Sequence, residues 1–402
     1  MTTEKTHWPD VLIFLAGGIA VAMLIGKAPA ALPVIRAGMG LSLFEAGLVV
    51  SIFTLIAGFG GVLAGSIADR FGPRRIAIFG MGLAALSSLA GSAATTALPL
   101  LVTRTGEGLG FFLTVVSIPP LLLRASQTRD RQKVMGIWSS YMPAGMGSML
   151  LVSGLIVEDI GWPGVWQVTA AAIVIVAAAF AFTARKYPPE NPSSDQPGHL
   201  AKKQPVTIAG TLVVVKRPGP LLLALGFGSY ASQFFIISSF VPLILVEQAH
   251  WSVPAAGVAG AAVIIANLIG TLGSAWLLGR GISRASIVIA TSLILAIAAV
   301  FVLNDSFPPM LRIGAAVCFS AFGGLIPGVL FAGVPVHVPS PNHVSSVNGL
   351  MLQGVAIGQL TGPAISSYVV EQTGNWSDAL YVVLPLAALA VLAGFLIGRL
   401  EQ

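Results

Sequence analysis

Charge is what this chain has least of: 9% of its 402 residues are Asp, Glu, Lys or Arg, against about 25% in ordinary soluble domains. A water-soluble protein must present charge to solvent, so a compact soluble enzyme is excluded. The single cysteine, Cys318, excludes an intrachain disulfide and a cysteine-ligated zinc site. The histidines His7, His199, His250, His337 and His343 all fall in termini or between apolar runs, so no metal is expected. No GxxxxGK(S/T) phosphate loop occurs; ATP-driven work is unsupported and no cofactor is expected. No pair of mid-run carboxylates and no Ser/His set is present, so the chain does not read as an enzyme. The ten-residue alternation of a membrane barrel is also missing.

What is abundant is apolar sequence, 55% of residues, with 46 Gly and 26 Pro scattered through the apolar runs rather than gathered in repeats. Membrane helices tolerate that scatter. Runs long enough to cross a bilayer, about 20 residues each, number twelve: roughly 11–35, 45–68, 76–95, 98–123, 134–157, 163–183, 220–246, 253–279, 285–303, 309–332, 344–370 and 378–399. The expected fold is therefore an all-α membrane protein with twelve transmembrane helices. Residues 1–183 would form one six-helix bundle, 184–219 a polar linker, and 220–402 a second six-helix bundle.

The basic residues agree with that count. All but Lys27, Arg36, Arg104 and Arg312 of the 21 fall on one side if the runs alternate, and Glu158, Asp159, Glu247, Asp305, Glu371 and Asp378 fall on the other. This asymmetry predicts both termini in the cytoplasm of a plasma-membrane protein. The formal charge of +6 is thus a topology signal, and no nucleic-acid partner is expected.

The halves also resemble each other. At an offset of 208, Gly65 and Ser66 match Gly273 and Ser274, Arg104 and Gly106 match Arg312 and Gly314, and Pro119 matches Pro327. Ser153 and Gly154 are echoed by Thr361 and Gly362. Internal repeats are a recurring plan of secondary transporters, with the substrate site at the repeat interface near mid-membrane.

Between runs two and three stand Gly65, Asp69, Arg70, Gly72, Arg74 and Arg75. Their spacing resembles the signature loop of the major facilitator superfamily, G-x-x-x-D-(R/K)-x-G-x-(R/K)-(R/K). A carboxylate at Asp69 can accept from the free amides of a helix start, and run eleven, opening near Val344, is the expected one. The resemblance implies that this latch closes the cytoplasmic side, with these six residues as a conformational gate. For the three arginines, a pure topology role remains open. Leu101, Arg104, Glu107, Gly108 and Gly110 resemble a second motif of the family, R-x-x-Q-G-x-G, with Glu replacing Gln. That resemblance implies a role for Arg104 in proton coupling. The segment from Trp138 to Gly147 is similar to the kinked fifth helix of the family but lacks the antiporter core. The stretches around Lys27 and Tyr141 resemble the cyanate- and nitroimidazole-type branch.

An ionisable side chain inside a span is a functional candidate by default. Arg104 and Glu107 are three apart and share a helix face; a neutralised structural pair is the plain alternative. Lys27 has no acid within a turn of its own helix, and Glu107 is its candidate partner; snorkelling to the interface is the alternative. The same choice applies to Arg312. Tyr141, Gln233, Asn267, Gln353 and Gln359 would orient substrate or serve as helix–helix glue, with Trp138 and Tyr230 as aromatic walls.

The sequence therefore predicts a monomeric secondary transporter in the lipid bilayer, working by alternating access on a small-molecule substrate. Lys27, Arg104 and Arg312 would form a positive cavity for a small anion, with Glu107 as proton carrier. Proton-coupled efflux of apolar or cationic drugs is the competing expectation.

Overall fold

The computed structural model describes residues 5–58, 72–187, 214–339 and 343–402. Gly65, Asp69 and Arg70 of the expected gate, and residues 188–213 of the expected linker, lie outside the described residues.

Among the described residues the chain is helical and contains no strand. The helices are α1 (Trp8–Met39), α2 (Leu43–Ser51), α3 (Pro73–Gly91), α4 (Ala97–Ala125), α5 (Arg131–Trp138), α6 (Tyr141–Thr183), α7 (Pro218–Glu247), α8 (Val253–Gly279), α9 (Arg284–Leu303), α10 (Pro309–Gly323), α11 (Leu325–Phe331), α12 (Val334–His337), α13 (Val344–Thr373) and α14 (Leu380–Leu400). Eight described segments are long and apolar enough to cross a membrane.

Local chemistry sets the ends. Pro9 opens α1, and Gly40 closes it in the left-handed conformation. Ser42 and Glu45 form a capping box at α2. Ser252 and Ser283 cap α8 and α9. Helix α6 is two crossings: Gly161 (φ 71°, ψ 166°) breaks it just before Pro163. Crossing ten is broken as well, into α10, α11 and α12.

Each half packs mainly on itself. In the first half α1 lies along α6 and α3 packs on α4; in the second α7 packs on α13 and α14, and α8 and α9 pack on α10. The halves meet where α6 touches α8, α2 touches α13 and α1 touches α7. Large apolar side chains point outward all round the molecule, among them Phe79, Ile175, Leu272 and Ile297, each at least 61% exposed. In water such a surface would aggregate; in a bilayer it faces lipid.

The seam between the halves is closed on the face opposite the termini. Arg36 at the end of α1 pairs with Glu247 at the end of α7. The amide of Phe44, in the first turn of α2, donates 2.5 Å to Glu371 near the end of α13, and the Phe44 ring meets Tyr368 edge-on. Glu371 thus caps a helix start belonging to the other half. An exposed ion pair contributes about 0–1 kcal/mol and a cap about 1 kcal/mol. Arg36→Ala combined with Glu371→Gln should therefore shift the closed-to-open ratio of this face by about tenfold. Spin labels at Gly38 and Thr373, both exposed, after replacement of the exposed Cys318, would read that shift as a longer distance population. An unchanged distribution would refute the latch.

Candidate functional site

Two backbone contacts bring the ionisable residues of the first half together. A Cβ on Gly26 would collide with the Met146 carbonyl, so α1 and α6 touch backbone to backbone. A Cβ on Gly108 would collide with the Phe53 carbonyl, so α4 presses equally close to the second crossing. Lys27 and Glu107, the neighbours of those glycines, then face the same interior space.

The Lys27 ammonium donates 2.6 Å to Glu107 Oε1 and 2.7 Å to Ser88 Oγ, and its Nζ stands 4.2 Å from the centre of a Trp166 ring. Arg104 donates from Nη1 to Glu107 Oε2 at 2.5 Å and to the Leu24 carbonyl at 2.8 Å. Its Nε donates to the Val49 carbonyl at 3.0 Å, and the guanidinium lies 4.8 Å from the Phe53 ring centre. Ser88 Oγ in turn donates a hydrogen bond to the Trp166 carbonyl at 2.9 Å. Lys27, Arg104 and Glu107 are all 0% exposed. Two cations share one carboxylate, so the fully ionised cluster carries one excess positive charge.

The other candidates lie elsewhere. Arg312, 5% exposed, donates to the Val302 carbonyl at 2.8 Å and to Gln248 Oε1 at 3.0 Å. It ties together helix ends of the second half and does not join Lys27 and Arg104 in one open positive cavity. Tyr141 stacks on Trp138 at 4.3 Å, against Gly18 of α1. Asn267 donates to Tyr230 Oη at 2.8 Å and to the Ser320 carbonyl at 3.0 Å, joining α8, α7 and α10. Gln233 is buried, donates to the Ser229 carbonyl at 3.1 Å, and its Oε1 has no hydrogen-bond partner among the described residues. Gln353 is half-buried on α13. Of the gate residues, Gly72 turns the chain into α3 at φ 86° and Arg74 and Arg75 lie in its first turn.

Sequence reasoning missed Ser88, Trp166 and Phe53, because serine and aromatics are ordinary in membrane spans. It also missed the Arg36–Glu247 contact. The signal for that pair was present: opposite charges stand at the corresponding ends of runs one and seven.

The family profile described as Major Facilitator Superfamily matches residues 13–352. A hexuronate transporter of Bacillus subtilis is 24% identical over 97% of this chain and 94% of its own length. A cephamycin export protein of Amycolatopsis lactamdurans is 25% identical over 90% of this chain and 87% of its own. In fold, the chain resembles a bacterial homolog of the human lysosomal transporter Spinster, with a TM-score of 0.80 at 17% identity, over 99% of this chain and 98% of that one.

Proposed function

Because the chain belongs to the major facilitator superfamily and is a multi-pass membrane transporter rather than an enzyme, we propose that its cargo is a small organic anion moved together with protons. The observation that carries this reading is the buried Lys27–Glu107–Arg104 cluster with its excess positive charge. An unbalanced charge without access to water is costly. It is relieved by an anion drawn to the cluster or by loss of one proton from it. A site that exchanges those two compensations couples an anion to a proton by charge balance alone.

The likeness to a hexuronate transporter along nearly the whole chain supports the same reading, since a hexuronate is a sugar acid bearing one carboxylate. In this reading Lys27 is the exchange point. Its Nζ is held by one carboxylate, one hydroxyl and one ring face, whereas Arg104 is additionally fixed by two backbone carbonyls. The positive-inside asymmetry supports a cytoplasmic location for both termini.

Proteoliposomes carrying the full chain test the proposal. Labelled glucuronate or galacturonate should accumulate when a pH gradient is imposed, and Lys27→Met should remove the dependence on that gradient while folded protein remains. Gradient-independent behaviour of the unaltered protein towards both sugar acids would end the proposal. The cephamycin export relative favours a second reading, drug export. It would gain support if cells expressing the chain tolerated an antibiotic panel that kills cells lacking it.

A further inference from the structure

Where crossing ten breaks, the second half holds a polar junction with hydrogen-bonding capacity left over. Asn267 of α8 donates to Tyr230 Oη of α7 and to the Ser320 carbonyl of α10. Among the described residues nothing accepts the Tyr230 hydroxyl proton, and neither Ser320 Oγ nor Gln233 Oε1 has a hydrogen-bond partner. Gln233 lies one turn beyond Tyr230 on the same face of α7. Helix α7 runs away from the face that carries the termini, and α10 runs back towards it. A Cβ on Gly323 would lie 2.8 Å from the Tyr230 ring, so one turn onward Gln233 comes level with Ser320. Ser320, Gln233 and Tyr230 are 0%, 1% and 4% exposed. Buried polar groups in folded proteins are paired; three unspent groups at one junction mark a place for a partner that these residues do not supply to one another.

The junction opens to the interior. The lipid-facing stripe of α8 is Val258, Ile265, Ile269, Leu272 and Trp276. Asn267 stands on the opposite side of that helix and is still only half-buried. Depth follows from the Arg36–Glu247 pair at the ends of α1 and α7. Lys27 stands nine residues before Arg36, and Gln233 fourteen before Glu247. Gln233 therefore lies about 7.5 Å nearer the face with the termini than Lys27 does, an offset about the length of a sugar ring. The four side chains are uncharged. Gln233 Oε1 needs a donor, the Tyr230 hydroxyl needs an acceptor, and Ser320 Oγ can take either role. A hydroxyl group supplies both; a hydrocarbon supplies neither.

We propose that Tyr230, Gln233, Asn267 and Ser320 form a neutral subsite that receives hydroxyl groups of the cargo, so that the chain selects a polyhydroxylated anion over a hydrocarbon acid of the same charge. The inference rests on the reading of the cargo as an anion drawn to the Lys27 cluster. The first half then reads the charge and the second half reads the hydroxyls.

Calorimetric binding to the purified full chain in detergent tests this with three probes: glucuronate, cyclohexanecarboxylate (the charge without hydroxyls) and methyl glucoside (hydroxyls without the charge). Glucuronate should bind at least tenfold more tightly than cyclohexanecarboxylate. Gln233→Leu and Ser320→Ala should each weaken glucuronate about tenfold and leave cyclohexanecarboxylate unchanged, with the melting temperature of the ligand-free protein retained. Equal affinity for the two acids in the unaltered protein would overturn the subsite. So would variants that weaken both acids alike or lower the ligand-free melting temperature without altering the preference, which would mark Gln233 as helix–helix glue. Lys27→Met should weaken both acids and spare methyl glucoside. If it spares the acids while Gln233→Leu weakens glucuronate and methyl glucoside, the anion reading falls and the hydroxyl subsite stands. Binding of none of the three probes would overturn both. Should Gln233→Leu fail to fold, Ser320→Ala decides the question, since it keeps the Ser320 carbonyl that Asn267 bonds.

Discussion

Glu107→Gln is expected to destabilise the protein by about 3–5 kcal/mol, and Lys27→Met by much less. The asymmetry follows from charge. Glu107 is the one anion contacting two cations, and all three are 0% exposed. Removing it leaves an ammonium and a guanidinium facing each other where neither reaches water. Removing Lys27 leaves the Arg104–Glu107 pair, which is neutral, with Arg104 still bonded to the Leu24 and Val49 carbonyls. Ser88 keeps its own bond to the Trp166 carbonyl, and methionine can occupy the space beside the Trp166 ring. The buried charge is one in the native cluster, two in Glu107→Gln, zero in Lys27→Met, and one in the double variant. Lys27→Met should therefore restore part of the stability lost in Glu107→Gln. Unfolding of the four proteins in one detergent measures this order, and equal losses from the two single substitutions would sink the account.

Gly154→Val should slow transport severalfold or more while leaving folded protein, whereas Gly26→Val should deplete folded protein. Both glycines sit at close helix crossings, but the crossings differ in kind. Gly154 on α6 faces Gly257 on α8: a Cβ on the former would lie 2.8 Å from the latter's Cα, and the reverse distance is 2.7 Å. Backbone cannot yield as a flexible side chain can, and carbon atoms need about 3.5–4.0 Å. The two halves must therefore separate, while each keeps its own core. An overpacking cost of about 1–3 kcal/mol would lower the closed-to-open ratio at this face by roughly 5- to 150-fold. Gly26 instead meets the Met146 carbonyl within the first half, so valine there opposes the α1–α6 packing on which the Lys27 cluster depends. Transport assays alongside yield and melting temperature separate the two outcomes. Full transport by Gly154→Val would show that this face need not close as tightly as observed.

The parts of the fold legible in the sequence were those governed by one-dimensional rules. Crossing a bilayer requires an apolar run of a certain length, and α1, α4, α7, α8 and α9 follow the runs closely. The pairing of Arg104 with Glu107 follows from helical spacing alone. The irregularity of run five was legible only through the resemblance of Trp138–Gly147 to a kinked helix, and the division of run ten at Gly324 was not legible. Gly324 occurs in a continuous apolar pattern; a Cβ on it would meet the Asn267 carbonyl of α8, so the break lies at a close helix approach.

Composition and hydropathy by themselves determined that this chain spans a membrane many times, because the low charge and the long apolar runs have no other stable solution. Spacing along one helix put two opposite charges on one face. Only the tertiary structure decided which charges share a space: Lys27 joins Arg104 and Glu107 beneath Trp166, while Arg312, their counterpart by duplication, bonds to Val302 and Gln248 instead. The physical reason is that a charge inside a membrane protein takes its partner from whichever helix packs against it. That choice is set by backbone contacts such as those at Gly26 and Gly108, which depend on several distant segments at once.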